Sequence, residues 1–459
     1  MGVVSDDEFS GQDQRSDPGQ RSDEIVQCLQ ESFAELMQHA PDAFRTKFRK
    51  MARDPFAFYR GTACLFYADL GGHTKVDDEL TGSDERWWGE HGARIWIQGD
   101  LHVENFGTYM SGDGRLVFDV NDFDEAYVAP WTWEIRRFVA SLALICWGKA
   151  LPDAVIDDLI DTYVRAYADE AKEFTDHDNI EWALTLDNAE GAVLDTLRTV
   201  KLVSREEFLG QVTVVEDYRR HFESTYGTPL DDDQRKALDE AFGTYQDTLS
   251  TERGSRIRFD VLDAVELGAL GIGSAGLPAY SVLIEGETQA LGNDVIITMK
   301  QGQEAALERV ITDETIGSAF TDHGHRTAVS QRALQDHTSP YLGWTEMNGS
   351  GFVVSEFSPY EADLSWEDVT EPEDMRVLVR QLGQATAKIH CVADDESGHD
   401  LVDVSVEEVI TEAIGDDIDE LVRQMTAFAH AYAAQVRTDH RLFVEAFRAG
   451  AFSEVDPTT

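Results

Sequence analysis

Between Ile95 and Ala126 the chain reads IWIQGDLHVENFGTYMSGDGRLVFDVNDFDEA, in which two acid-bearing polar loops flank a glycine-punctuated hairpin. Asp100 and Asn105 stand on the first loop, Asp122 on the second. Two carboxylates and an amide are the oxygen donors that Mg²⁺ takes, with substrate phosphates and water completing its octahedron. In a single loop an Asp or Asn is an ordinary turn residue. It is the pair of loops around one hairpin that reads as chemistry.

For those donors to meet, the loops must leave the same ends of neighbouring strands. The apolar runs Ile95 to Ile97, Phe106 to Met110 and Leu116 to Val120 supply the strands, and Ser111 to Gly114 the turn. Asp119 alternates with Phe118 and Val120 inside a strand, which sets it apart from the loop donors. Helical periodicity covers Ile25 to Met51, Trp133 to Ala150 and most of Asp153 to Thr248. From Ile257 to Phe357 glycines multiply and β-branched runs such as YSVLIEG and DVIITMK alternate with turns; after Pro372 the helical pattern returns through Phe447. An α+β fold follows, with helical flanks around a strand-rich middle. We divide it into a disordered acidic arm (1–24), a first helical part with the acidic loops (25–256), a β-rich part (257–364) and closing helices (365–459).

The charge balance narrows the function classes. There are 88 acidic residues against 38 basic ones, a formal charge of -50, and the acids are spread along the whole length. Only nine of the basic residues are lysines. A carboxylate-rich, lysine-poor surface is expected of a protein kept soluble in concentrated salt, in a halophilic cytoplasm. The same field opposes non-specific binding to nucleic acid or anionic membrane. Cys28, Cys64, Cys146 and Cys391 form no CxxC pair, so neither a zinc site nor a disulfide framework is signalled. The longest apolar run, near Phe138 to Trp147, is too short to span a bilayer, and no basic-then-apolar leader opens the chain.

GDLHVEN, the two strands and NDFDEA together resemble the catalytic loop, hairpin and metal loop of the aminoglycoside and choline kinase branch of the protein-kinase-like fold. The resemblance implies that Asp100 orients and deprotonates an acceptor hydroxyl, while Asn105 and Asp122 hold the metal ions that neutralise a triphosphate. His102 either contacts phosphate or acceptor or braces its loop. Gln98 stands where relatives often carry His, and Asp124 replaces the glycine of protein kinases, adding a further acid for metal.

Such an enzyme also needs a phosphate-covering loop and a lysine, and these come far downstream. Gly271, Gly273, Ser274 and Gly276 form a G-x-G-S-x-G turn before a strand, where backbone N–H groups can close on phosphate oxygens. DVIITMK follows, similar to the strand whose Lys, here Lys300, pairs with α- and β-phosphates. Glu304 and Glu308 are candidates to pair with Lys300, or are solvated helix charges; Gln331 and Arg332 are candidate phosphate contacts. The helix Met375 to His390 resembles the one that normally leads into the catalytic loop, which here lies at the other end of the chain. The implied architecture is a circularly permuted, two-lobed protein-kinase-like fold, its helical lobe split across both termini and its β-rich lobe in the middle.

Over the whole chain, DPFAFYRG (54–61), GDLHVENFG, VFDVNDFDEA, PWTWEIRRFVAS (130–141), GIGSAG and the Met299-Lys300 pair are similar to the uncharacterised domain of unknown function 2252. PWTWEIRR resembles the kinase-like segment after the acidic loop in which an acid braces the catalytic loop, a role the resemblance implies for Glu134 with Arg137 as partner; Trp131 and Trp133 are expected to pack. Arg60 meets either a ligand anion or an internal acid. The expected activity is Mg-ATP-dependent phosphoryl transfer to a small hydroxylated or amino acceptor, with ATP and Mg²⁺ as cofactors. Nucleotidyl transfer, a non-catalytic ATP sensor and a two-metal phosphoesterase built on the D-x-H of Asp100 and His102 remain alternatives, and acceptor and oligomeric state stay open.

Overall fold

The structure is a computed structural model that describes residues 18–74, 85–88, 94–176, 182–249, 259–268, 276–286, 288–335, 337–394, 401–455 and 458. Four helices open it: α1 (Pro18–His39), α2 (Pro41–Met51), α3 (Pro55–Arg60) and α4 (Ala63–Leu70). Four short strands follow, β1 (Arg94–Ile97), β2 (Phe106–Met110), β3 (Leu116–Val120) and β4 (Tyr127–Pro130). Then come α5 (Trp131–Gly148), α6 (Asp153–Phe174), α7 (Gly191–Val200) and α8 (Arg205–Val212). The hairpin β5 (Thr213–Glu216) and β6 (Arg219–Phe222), the strand β7 (Thr228–Pro229) and α9 (Asp232–Thr248) lead into the β-rich middle.

That middle holds β8 (Val261–Leu267), β9 (Ala279–Ile284), β10 (Val295–Gln301), α10 (Glu314–Ser318), α11 (His323–Leu334), β11 (Gly343–Met347) and β12 (Ser350–Glu356). After β13 (Ala362–Asp363) the chain closes with α12 (Pro372–Cys391), α13 (Val406–Ile414) and α14 (Ile418–Arg448). The class is α+β, with antiparallel sheets. No helix among the described residues is long and apolar enough to cross a membrane.

Two large apolar cores, with two small satellites, divide the described residues. The larger joins both ends of the chain, from Ile25 and Phe48 through Phe138 and Tyr163 to Leu382 and Phe443. The smaller lies under the six-stranded sheet, ordered β11-β12-β10-β9-β8-β7, where Val282, Ile297, Met299 and Val354 meet Leu238, Phe242 and Tyr245 of α9. Strand residues alternate faces. Lys300 therefore points away from the Met299 side, opposite α9, where Val353 is its cross-strand neighbour.

Three expectations need correction. Residues 18–24, placed in a disordered arm, form the first turns of α1; residues 1–17 of that arm lie outside the described residues. A tertiary contact holds the helix start: buried Arg21 is bidentate to Asp69 and Asp439, at 2.8 Å and 2.7 Å for the nearest pairs. Such an anchor has no local signature. The helix expected over Ile25 to Met51 breaks at Ala40, because Pro41 disfavours helical geometry in the residue before it. Finally, α9 was grouped with the helical part, yet it packs on the six-stranded sheet, and the β5-β6 hairpin interrupts a stretch expected to be helical.

Candidate active site

The strands Phe106–Met110 and Leu116–Val120 form where the alternation puts them, in register with Phe106 opposite Val120. The two polar loops consequently meet: Asn121 N–H donates to Asn105 O at 3.1 Å. Gln98, at the position where the kinase likeness expects His, ties them more tightly. Its Nε2 donates to Asn121 O at 3.1 Å and to Asp122 O, while its Oε1 accepts from Asp100 N–H at 2.8 Å. Between them Gly99 holds φ +83°, and a Cβ there would lie 2.0 Å from Glu125 O. Only glycine fits that crossing.

Glu134 braces the first loop as expected, accepting from Gln98 N–H at 2.7 Å and Gly99 N–H at 2.8 Å. Its partner is not Arg137 but His390 of α12, 3.1 Å away. Arg137 instead holds Asp100, donating from Nε at 2.8 Å and from Nη2. Burial nevertheless pushes the Asp100 carboxyl above its usual range, against the pull of Arg137. A carboxylate raised in this way is a better proton acceptor near neutral pH. Asn105 donates its amide to Asp100 O at 2.9 Å, which leaves its Oδ1 available to a cation.

Asp122 sits at φ +57° with its carboxyl pushed up to about 6 by burial and by Asp124. Among the described residues its side chain has no hydrogen-bond donor or ion pair. Asp124 differs, being paired with Lys300 Nζ across 176 residues of chain. Burial lowers the Lys300 ammonium, but Asp124 and Asp122 outweigh it and hold the group well above its ordinary value. Among the described residues no group of three or more His, Cys, Asp and Glu side chains is placed to hold a metal ion. Asp119 is spent structurally, in a buried ion pair with Lys388 at 2.7 Å.

The other candidates are engaged by other partners. Glu304 lines the same cavity as Asp100 and Asp122 but pairs with Arg309, and Glu308 pairs with Arg326 at 3.1 Å. Arg332 donates to Thr248 O and Leu342 O, and Gln331 to Gln335. His102 accepts from Arg60 Nε at 3.2 Å, and burial followed by Arg60 depresses its basicity well below the ordinary range, leaving it neutral. Arg60 also pairs with Glu104, the internal acid that was one of its two expected partners. Gly271, Gly273 and Ser274 lie outside the described residues. Gly276 has φ +87°, and a Cβ on it would stand 2.6 Å from Ala40 Cβ, so the exit of the glycine turn rests on the α1-α2 corner.

Asp100, Asp122, Asp124 and Glu125 share one cavity with Lys47, Arg60 and Cys64. It encloses about 60 Å³, room for a phosphate group and well short of the ~300–1,000 Å³ of pockets for drug-sized ligands. Three of its residues were missed. Glu125 accepts from Ala306 N–H at 2.6 Å and is pushed up to about 8 by burial. Cys64 has its thiol lowered by its interaction with Cys28, against the effect of burial. Lys47 had a legible signal, since it lies on the stripe of Phe44, Phe48 and Met51 at spacings of three and four. A lysine on an apolar face marks either a buried cation or a break in the pattern.

The family model described as "Uncharacterized protein conserved in bacteria (DUF2252)" matches residues 39–446. The chain belongs to that family. The match takes in α2 with Lys47, both acidic loops, Lys300 and α12. No curated protein and no solved structure matches the chain.

Proposed function

We propose that this member of the family is a Mg-ATP-dependent phosphotransferase acting on a small hydroxylated or amino acceptor, built as a circularly permuted, two-lobed protein-kinase-like fold. The ion pair between Lys300 and Asp124 carries the reading, because it sets the lysine strand of the β-rich middle against the loop beside Asp100 and Asn105. Element order adds support. The strand β9, the lysine strand β10, helix α11, the pair β11-β12 and a connection into α12 follow one another in the order the likeness expects. The two ends of the proposed cut also adjoin, through Glu134 and His390.

Asn105 Oδ1 and the unpaired Asp122 carboxylate fit a Mg²⁺ ion that takes its remaining ligands from phosphate and water. When bound, that ion neutralises the triphosphate. Lys300 would exchange Asp124 for phosphate oxygens, and the chain's task is then positioning and charge. The acceptor's lone pair forms the bond to the γ-phosphorus as the bond to the bridging oxygen breaks. That bond's electron pair leaves with ADP, and the acceptor's proton passes to Asp100. Because the cavity is partly open and takes a phosphate but not a nucleoside, the nucleoside on this reading lies beyond its mouth.

The test is turnover of ATP labelled at the γ or the α phosphate, in molar KCl, with Asp100→Ala and Asp122→Ala alongside. Transfer of γ-label that both variants lose is expected. Transfer of α-label would make the reaction nucleotidyl transfer, and turnover unchanged in both variants would remove the site.

A further inference from the structure

Lys47 is the cation that the proposed reaction leaves unused. It is 3% exposed, its ammonium lies 4.1 Å from the centre of the Phe33 ring, and it lines the cavity that Asp100 lines. Among the described residues no carboxylate or hydrogen-bond acceptor is paired with it. A buried charge of this kind is costly unless something compensates it. The Phe33 and Phe44 rings offer only a weak substitute, and burial still draws the ammonium down to about 8.

Its surroundings say which side of the reaction it serves. The charges that act on Lys47 are Cys64, Glu125 and Asp100, the last being the proton acceptor. Those that act on Lys300 are Asp124 and Asp122, on the metal side. Arg60 lines the same cavity from the end of α3 and acts on both Asp100 and Asp122. Lys47 thus stands on the Asp100 side of the site, and Lys300, through its pair with Asp124, on the metal side.

We propose that Lys47, with Arg60 as second contact, forms a subsite for an oxyanion on the acceptor, so that the substrate class is a small hydroxylated or amino compound carrying a carboxylate or phosphate. The assignment of sides rests on the phosphotransferase reading; the anion subsite itself does not. An anion there gives the Lys47 ammonium the direct partner it lacks among the described residues and points the rest of the molecule at Asp100.

Nine lysines make the test tractable by NMR of the full chain labelled at lysine Cε, with signals assigned through Lys47→Arg and Lys300→Arg variants. Inorganic phosphate and, separately, acetate are titrated in molar KCl, with and without saturating Mg²⁺ and a non-hydrolysable ATP analogue. We expect a saturable shift of the Lys47 signal with at least one anion, persisting when the analogue is bound, while the analogue alone moves Lys300. Which anion saturates separates phosphate from carboxylate. A Lys47 signal indifferent to both anions overturns the subsite, and abolition of its response by the analogue assigns Lys47 to the nucleotide instead. If Lys300 ignores the analogue while Lys47 still binds anion, the phosphotransferase reading fails and the subsite stands.

Discussion

Glu134 and His390 meet in the fully buried interior, 3.1 Å apart, with both oxygens of Glu134 also accepting from the backbone of Gln98 and Gly99. One carboxylate thereby fastens the last turn of α12 to the loop that carries Asp100. Removing it orphans two N–H groups at once. Glu134→Ala is expected to cost about 3 kcal/mol in urea unfolding followed in KCl, since each buried donor left unsatisfied costs ~1–3 kcal/mol. A loss below about 0.5 kcal/mol would show that the brace is dispensable.

Asp100→Asn keeps an oxygen for Arg137 and loses the proton acceptor. Turnover should fall roughly 10²–10⁴-fold with the KM for ATP little changed. Steady-state kinetics at varied ATP decide it, and a raised KM with an intact kcat would move Asp100 to a binding role.

Lys300→Met takes away a charge-assisted contact with phosphate. Affinity for the Mg-ATP analogue should weaken roughly 10–100-fold by calorimetric titration. Equal affinity in the two proteins would leave Lys300 as nothing more than the partner of Asp124.

The Lys47 ammonium, drawn down to about 8 by burial, titrates below its ordinary 10.5. Between those two pH values the unfolded chain binds the proton that the folded chain has released, so this group's contribution to stability rises with pH through that window. Below pH 8 both states are charged and the burial penalty stands in full, at about 3 kcal/mol. Lys47→Met should therefore be more stable than the native chain at pH 7, with the difference shrinking from about pH 8 to 10.5. Denaturation curves of both proteins across that range give the answer, and a difference that does not change with pH would contradict the assigned shift.

With a formal charge of -50, the folded chain repels itself wherever screening is weak. The melting temperature should climb steeply from low salt to molar KCl, and a calorimetric scan insensitive to KCl would count against the halophilic reading.

Local pattern located the hairpin and the brace around the candidate site. The hairpin strands Phe106–Met110 and Leu116–Val120 form over the residues where alternation put them, and Glu134 braces the loop predicted for it. What stayed hidden depends on contacts remote in sequence. Nothing near Arg137 says that it will reach Asp100 and not Glu134, and nothing near Lys300 names Asp124 over Glu304, which is nearer in the chain. Arg21 hid a helix start in the same way, because its partners lie 48 and 418 residues off. Lys47 was visible as an exception in an apolar stripe, but only the fold reveals that the stripe borders a cavity.

Arg326 of α11 donates to the main-chain oxygens of Asp124, Ala126 and Gln303. A guanidinium that grips carbonyls is blind to the side chains beside them. The second acidic loop owes its posture to a neighbouring helix, so a residue such as Asp122 is spared architectural duty and its carboxylate can be traded without unseating the segment that bears it.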